Sequence, residues 1–82
     1  MTDYPFTIIG KADCRWCDKA IKLLEERGHG FNYLSLELNP SLKTFLKCLD
    51  LKTVPQIWRH KEHIGGYNDL HYLLTGTYPP EK

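Results

Sequence analysis

The chain has 82 residues, 41% hydrophobic and 26% charged, with a formal net charge of +1. That length leaves room for one domain, residues 1–82, which can bury only roughly 60–65% of the surface its unfolded chain exposes. The balanced charge excludes the basic footprint of a nucleic-acid binder, and no apolar run nears the roughly 18 residues of a membrane span.

Phe6-Thr7-Ile8-Ile9 is a short apolar, β-favouring run closed by Gly10 and reads as a buried strand. Cys17, Ala20, Ile21 and Leu24 then fall on one helix face, with Lys19, Lys22, Glu25 and Glu26 on the others. Gly28 and Gly30 end this first helix, since glycine accepts the left-handed conformation beyond a C-cap. Phe31 to Leu38 predicts a second strand apolar enough to be covered on both faces.

Asn39-Pro40-Ser41 opens a second helix with Leu42, Phe45, Leu46 and Leu49 as its apolar stripe and Cys48 partly buried at the stripe's edge. Gln56–His60 and His63-Ile64 predict two short strands around a Lys61-Glu62 turn. Gly65-Gly66 breaks the chain before a last helix with Leu70, Leu73 and Leu74 inward, closed by Gly76 and followed by a frayed Tyr78–Lys82 tail. The order is β-α-β-α-β-β-α. Strands joined through a helix should be parallel with a right-handed crossover, and the hairpin should add an antiparallel edge. A four-stranded mixed sheet flanked by three helices, the minimal thioredoxin-like α/β fold, follows.

Met1–Gly10 lacks the apolar stretch of a secretory signal, so a cytoplasmic protein is expected, in a compartment that keeps thiols reduced. Three cysteines are too few, and odd in number, for a disulfide scaffold. Cys14 and Cys17 nevertheless sit three apart where a strand gives way to a helix. Free backbone N–H groups and the positive end of the helix dipole meet there and favour thiolate over thiol. Cys14, at the loop's end, is expected to be the exposed nucleophile. Cys17, one turn in, is expected beneath it as the resolving thiol. Lys11 and Arg15 add positive charge that lowers the thiol pKa further. Zinc would need a second ligand pair, and neither Cys48 nor the scattered His29, His60, His63 and His71 supplies one. A dithiol–disulfide centre needing no metal or organic cofactor is therefore the reading of these residues.

Two weaker motifs follow. Thr53-Val54-Pro55 precedes the third strand; proline there is either a plain strand-entry residue or a cis proline that opens the Val54 peptide groups to a substrate strand. Gly65-Gly66-Tyr67-Asn68-Asp69-Leu70 is either turn chemistry with a favourable acid at a helix start, or a helix N-terminus that receives a carboxylate.

Together, Lys11, Cys14-Arg15-Trp16-Cys17, Thr53-Val54-Pro55-Gln56-Ile57 and Ile64-Gly65-Gly66-Tyr67-Asn68-Asp69-Leu70 resemble the glutaredoxin family over nearly the whole chain. The resemblance implies a reductase of protein disulfides and glutathione mixed disulfides, with glutathione as co-substrate. It implies that Pro55 is cis, that Val54 pairs with the glutathione backbone, and that Lys11 meets its glycine carboxylate. Gly66, Asn68 and Asp69 would hold the glutamyl end, and Trp16 would flank the sulfur. Arg15-Trp16 replaces the family's common Pro-Tyr, and Tyr67 replaces a smaller residue. The short form and unusual dipeptide also resemble small redoxins that supply electrons to ribonucleotide reductase. Expected partners are glutathione and disulfide-bearing proteins, ribonucleotide reductase among them, with no nucleic acid or membrane and a monomeric state. Two alternatives carry different predictions: reduction by thioredoxin reductase, or an iron–sulfur cluster held through Cys14 and glutathione. The retained Cys17 favours exchange over cluster binding.

Overall fold

The computed structural model describes residues 4–79 of the chain. Strand β1 (Phe6–Gly10) is followed by helix α1 (Arg15–Glu26), β2 (Phe31–Ser35), α2 (Ser41–Cys48), β3 (Gln56–Arg59), β4 (Glu62–Gly65) and α3 (Tyr67–Thr75). The four strands form one mixed sheet in the order β2-β1-β3-β4. β1 and β2 run parallel, with Phe6 opposite Phe31 and Gly10 opposite Ser35. β3 lies antiparallel to β1, with Ile8 opposite Ile57, and β4 closes the sheet antiparallel to β3. Element order, strand directions and the thioredoxin-like arrangement are those the sequence predicts.

The core lies between the sheet and the helix pair α1/α3. Phe6, Ile8 and Ile57 point down from the two central strands onto Ala20, Leu23, Leu24 and Leu70, all buried. Burying such side chains is the main favourable term in a domain this small. Gly28, at a φ of 75°, ends α1 as expected.

Several local expectations are corrected. β2 stops at Ser35 instead of running to Leu38, because its partner β1 ends at Gly10; Leu36–Leu38 form a turn and Leu38 is exposed. β2 is also an edge strand with Asn32 and Tyr33 exposed, so its apolar letters do not mark burial on both faces. In α2 only Leu46 is buried. Phe45, Leu49 and Cys48 are exposed, and an open cleft of about 350 Å³ lined by Thr7, Ile9, Leu34, Leu42, Phe45 and Trp58 separates part of α2 from the sheet. In α3, Tyr67, Leu70 and Leu74 share the inner face. At about 100° per residue, Leu73 falls on the far flank of that face and is exposed.

The hairpin turns at His60-Lys61, one residue earlier than expected, and β4 gains Glu62 and Gly65. In the tail, the Tyr78 ring stacks on Tyr72 at 4.7 Å instead of fraying. Pro80–Lys82, and Met1–Asp3 of the stretch read for a leader, lie outside the described residues. Among the described residues no helix is long and apolar enough to cross a membrane.

Candidate active site

Cys14 is the N-cap of α1, with extended backbone dihedrals, and its sulfur accepts the Cys17 N–H at 3.2 Å. The helix thus turns its free N-terminal N–H groups toward Cys14, the environment that stabilises a thiolate. Asp13, just before it, adopts a φ of 54°, a left-handed conformation that aspartate tolerates better than most residues. Cys14 and Cys17 are joined in a disulfide with their Cα atoms 5.2 Å apart.

In this oxidised form the expected exposure of Cys14 is not seen: it is 7% exposed and Cys17 1%. The Cys14 sulfur lies 4.0 Å from the Val54 carbonyl oxygen. The asymmetry between the two cysteines survives, because Cys14 borders the surface cleft while Cys17 lies beneath it. Gly10 makes room for Cys17. A Cβ at that position would meet the Cys17 sulfur and the Tyr33 hydroxyl, each at 2.9 Å.

The Val54–Pro55 peptide bond is cis, Pro55 is buried, and it follows the Val54 carbonyl that lies near the Cys14 sulfur. Buried Gln56 supports this loop: its amide donates to the Thr53 carbonyl at 2.9 Å, and its oxygen meets His63 Nε2 at 2.8 Å. Across the loop, the Asp69 carboxylate accepts the Gly66 N–H at 3.2 Å and so caps α3. Gly65 is required there twice over. Its φ is 126°, and a Cβ would run into that carboxylate.

The predicted site residues fall into two clefts that share Trp16, Thr53 and Val54. One, of about 570 Å³, is bordered by Lys11, Asp13, Cys14, Arg15, Lys43 and Lys52, with apolar Leu36, Leu46 and Leu51 at its base. The other, of about 490 Å³, is bordered by Pro55, Gly66, Tyr67, Asn68 and Asp69. Trp16 forms the ridge between them, with its ring 5.6 Å from Tyr67 and the Lys19 ammonium 4.6 Å above it. Lys11, Cys14, Arg15, Trp16, Val54, Pro55, Gly66, Asn68 and Asp69 therefore all reach one continuous surface around the disulfide, and Cys17 lies below it. Among the described residues no three His, Cys, Asp or Glu side chains gather as metal ligands would.

Several residues of this region carry no motif in the sequence. The Glu37 carboxylate accepts the Ala12 N–H at 3.0 and 3.2 Å and the Ser35 hydroxyl at 2.9 Å, tying the turn after β2 to the loop before Cys14. Those hydrogen bonds, with the charge of Lys11 adding to them, hold its carboxyl below the usual range. The Tyr33 hydroxyl donates to the Lys11 carbonyl at 3.4 Å, and partial burial, then the charges of Glu37 and Asp18, push its pKa up. Only the parallel register of Gly10 with Ser35 brings Glu37 to that loop, and a single sequence does not display a register.

A cysteine pair at a helix N-terminus, on a thioredoxin-type sheet and facing a cis proline, defines a thiol–disulfide oxidoreductase. A family model for glutaredoxin matches residues 6–64. A glutaredoxin of Pseudomonas aeruginosa is 37% identical over 70 residues, covering 84% of this chain and 83% of that protein. Glutaredoxin 3 of Escherichia coli K12 is 36% identical over 67 residues, covering 80% of this chain and 81% of the other. A wheat glutaredoxin crystal structure superposes with a TM-score of 0.77 at 25% identity, over 89% of this chain and 71% of that one. The chain belongs to the glutaredoxin family.

Proposed function

We propose that the protein is a glutathione-dependent reductase of protein disulfides and glutathione mixed disulfides, acting in the cytoplasm with Cys14 as nucleophile and Cys17 as resolving thiol. The observation that carries this reading is the meeting of two chemically different clefts at Trp16, Thr53 and Val54, one of them bordered by Cys14. Lys11 offers a cation for a carboxylate on one side. Asn68, Asp69 and the Gly66 N-cap of α3 offer partners for a zwitterionic glutamyl end on the other. Val54 lies between them with its carbonyl turned to Cys14, where the backbone of a cysteine substrate can pair with it.

In the forward direction the Cys14 thiolate attacks one sulfur of a substrate disulfide. A mixed disulfide forms, and the other substrate sulfur leaves as a thiolate that takes up a proton. Cys17 then gives up its proton and attacks the Cys14 sulfur, releasing the second substrate thiol and leaving the Cys14–Cys17 disulfide. Two molecules of glutathione return the pair to the dithiol and leave as glutathione disulfide. No prosthetic group takes part.

The deciding experiment compares two electron sources for the pure protein, glutathione with glutathione reductase against thioredoxin reductase. Turnover with glutathione is expected; turnover with thioredoxin reductase alone would refute the glutathione assignment. Cys17→Ser is expected to stop reduction of protein disulfides while sparing much of the activity on glutathione mixed disulfides, where glutathione itself resolves the Cys14 adduct. Equal loss of both activities would contradict the two cysteine roles. Ribonucleotide reductase belongs among the protein disulfides assayed.

A further inference from the structure

The two clefts that meet at Trp16 and Val54 differ in charge. The net charge of the chain is +1. The cleft on the Lys11 side nevertheless carries four cations, Lys11, Arg15, Lys43 and Lys52, against the single acid Asp13. The cleft on the other side of Trp16 carries Asp69 and no cation. Charge is therefore spread unevenly around Trp16: cations gather on the α2 side, and Asp69 stands on the α3 side with the Lys19 ammonium over the Trp16 ring. Low-dielectric walls such as Trp16, Leu36, Leu46 and Leu51 concentrate the field of such charges within a cleft.

Glutathione uses only part of that field. Its glycine end brings one carboxylate, which Lys11 alone can match, whereas its glutamyl end is the only one with an ammonium group and belongs beside Asp69. Lys43, from α2, and Lys52, from the loop after it, supply positive charge beyond what one carboxylate requires.

We propose that these two lysines select polypeptide disulfides whose reacting cysteine is followed, on its C-terminal side, by acidic residues. The orientation rests on the glutathione reading above: a substrate lying along Val54 with the polarity of glutathione sends the residues after its cysteine into the cationic cleft. Residues before the cysteine go toward Asp69, where acidic side chains are repelled. The electron path is that of the ordinary cycle. Two electrons pass from the Cys14/Cys17 dithiol to the substrate disulfide: the Cys14–Cys17 S–S bond forms, the substrate's S–S bond breaks, and the two peptide thiols leave carrying the two protons.

The test is a single turnover without glutathione. Fully reduced protein is mixed with the symmetric disulfide of one of three end-blocked peptides, and the released peptide thiol is measured after an acid quench. One peptide carries two glutamates after its cysteine, one carries them before it, and one carries none. At low ionic strength the first is expected to react about tenfold faster than the second, since complementary charge acts chiefly on encounter rates. The difference should shrink toward parity at about 0.5 M salt, where exposed charges are screened within a few ångströms. Lys43→Gln with Lys52→Gln should reduce the preference to less than about threefold, because two of the charges producing the encounter advantage are gone.

Equal rates for the two acidic peptides, a preference for acids before the cysteine, or a preference that survives in the double variant would each overturn the proposal. The glutathione reading is judged separately, by the coupled assay with glutathione reductase, so the two can fail independently.

Discussion

The two faces of the sheet are filled to different depths. On the α1/α3 face, Phe6, Ile8 and Ile57 meet the buried stripes of two helices, and Leu24 and Leu70 have no exposed surface. On the α2 face, Thr7, Leu34 and Trp58 look into an open cleft, and the eight-residue α2 contributes a single buried side chain, Leu46. Phe45 reaches across to the Trp58 ring at 5.9 Å and still remains 46% exposed. Cohesion is concentrated on one face. The other face carries a lightly anchored helix whose Lys43 and Leu46 border the cleft at Cys14. A small redox domain can thus keep its cysteine pair on a rigid helix while a thinner element forms part of the surface that substrates approach.

A matched pair of truncations separates the two faces most strongly. Leu24→Ala is expected to cost about 3 kcal/mol, since removing a fully buried leucine leaves a cavity as well as losing transfer energy. Phe45→Ala should cost less than about 1.5 kcal/mol, because nearly half of the residue already faces water. Denaturant unfolding of both variants checks this, and similar losses would show that the α2 face bears as much of the stability as the core.

The loop that joins the two regions gives a smaller, pH-dependent effect. Glu37 has its carboxyl lowered mainly by the Ala12 N–H, then by the Ser35 hydroxyl, so the folded state favours the carboxylate. The stability this adds is fully present above the unfolded carboxyl's pKa and is lost as pH falls through the lower, folded one. Glu37→Gln should therefore melt below the unmodified protein at neutral pH, and the gap should close as the acid range of carboxylates is crossed. A gap that stays constant across that range would mean that Glu37 acts through shape alone.

Cys48 should give the smallest effect. It is free and exposed at the end of α2, so Cys48→Ser is expected to leave the unfolding midpoint within about 0.5 kcal/mol of the original, as for most surface changes. An alkylating agent should label Cys48 in the oxidised protein while the Cys14–Cys17 pair stays protected.

Element order, the parallel crossover and the position of the cysteine pair were legible in the sequence. Local signals carry them: a β-favouring run ended by Gly10, a helical stripe through Ala20 and Leu24, and glycines at helix ends. The family motifs also named residues that do converge on one surface. What failed were statements about burial and about where β2 and the hairpin turn end. Leu73, Phe45 and Leu49 carry the right letters at plausible spacing, yet they face water because the center of a helix's buried face depends on what it packs against. β2 read as a covered strand and proved to be an edge, since strand order is decided by pairing across the chain and not within it.

The sequence by itself determined the elements and the chemistry, because capping, turn formation and thiolate stabilisation act over a few residues. It took the folded chain to bring Glu37 to Ala12 across 25 positions, and to gather Lys43 and Lys52 with Lys11 and Arg15 on one side of Trp16 and Asp69 on the other. Those juxtapositions depend on strand register and helix placement, which arise when distant segments bury their apolar faces together.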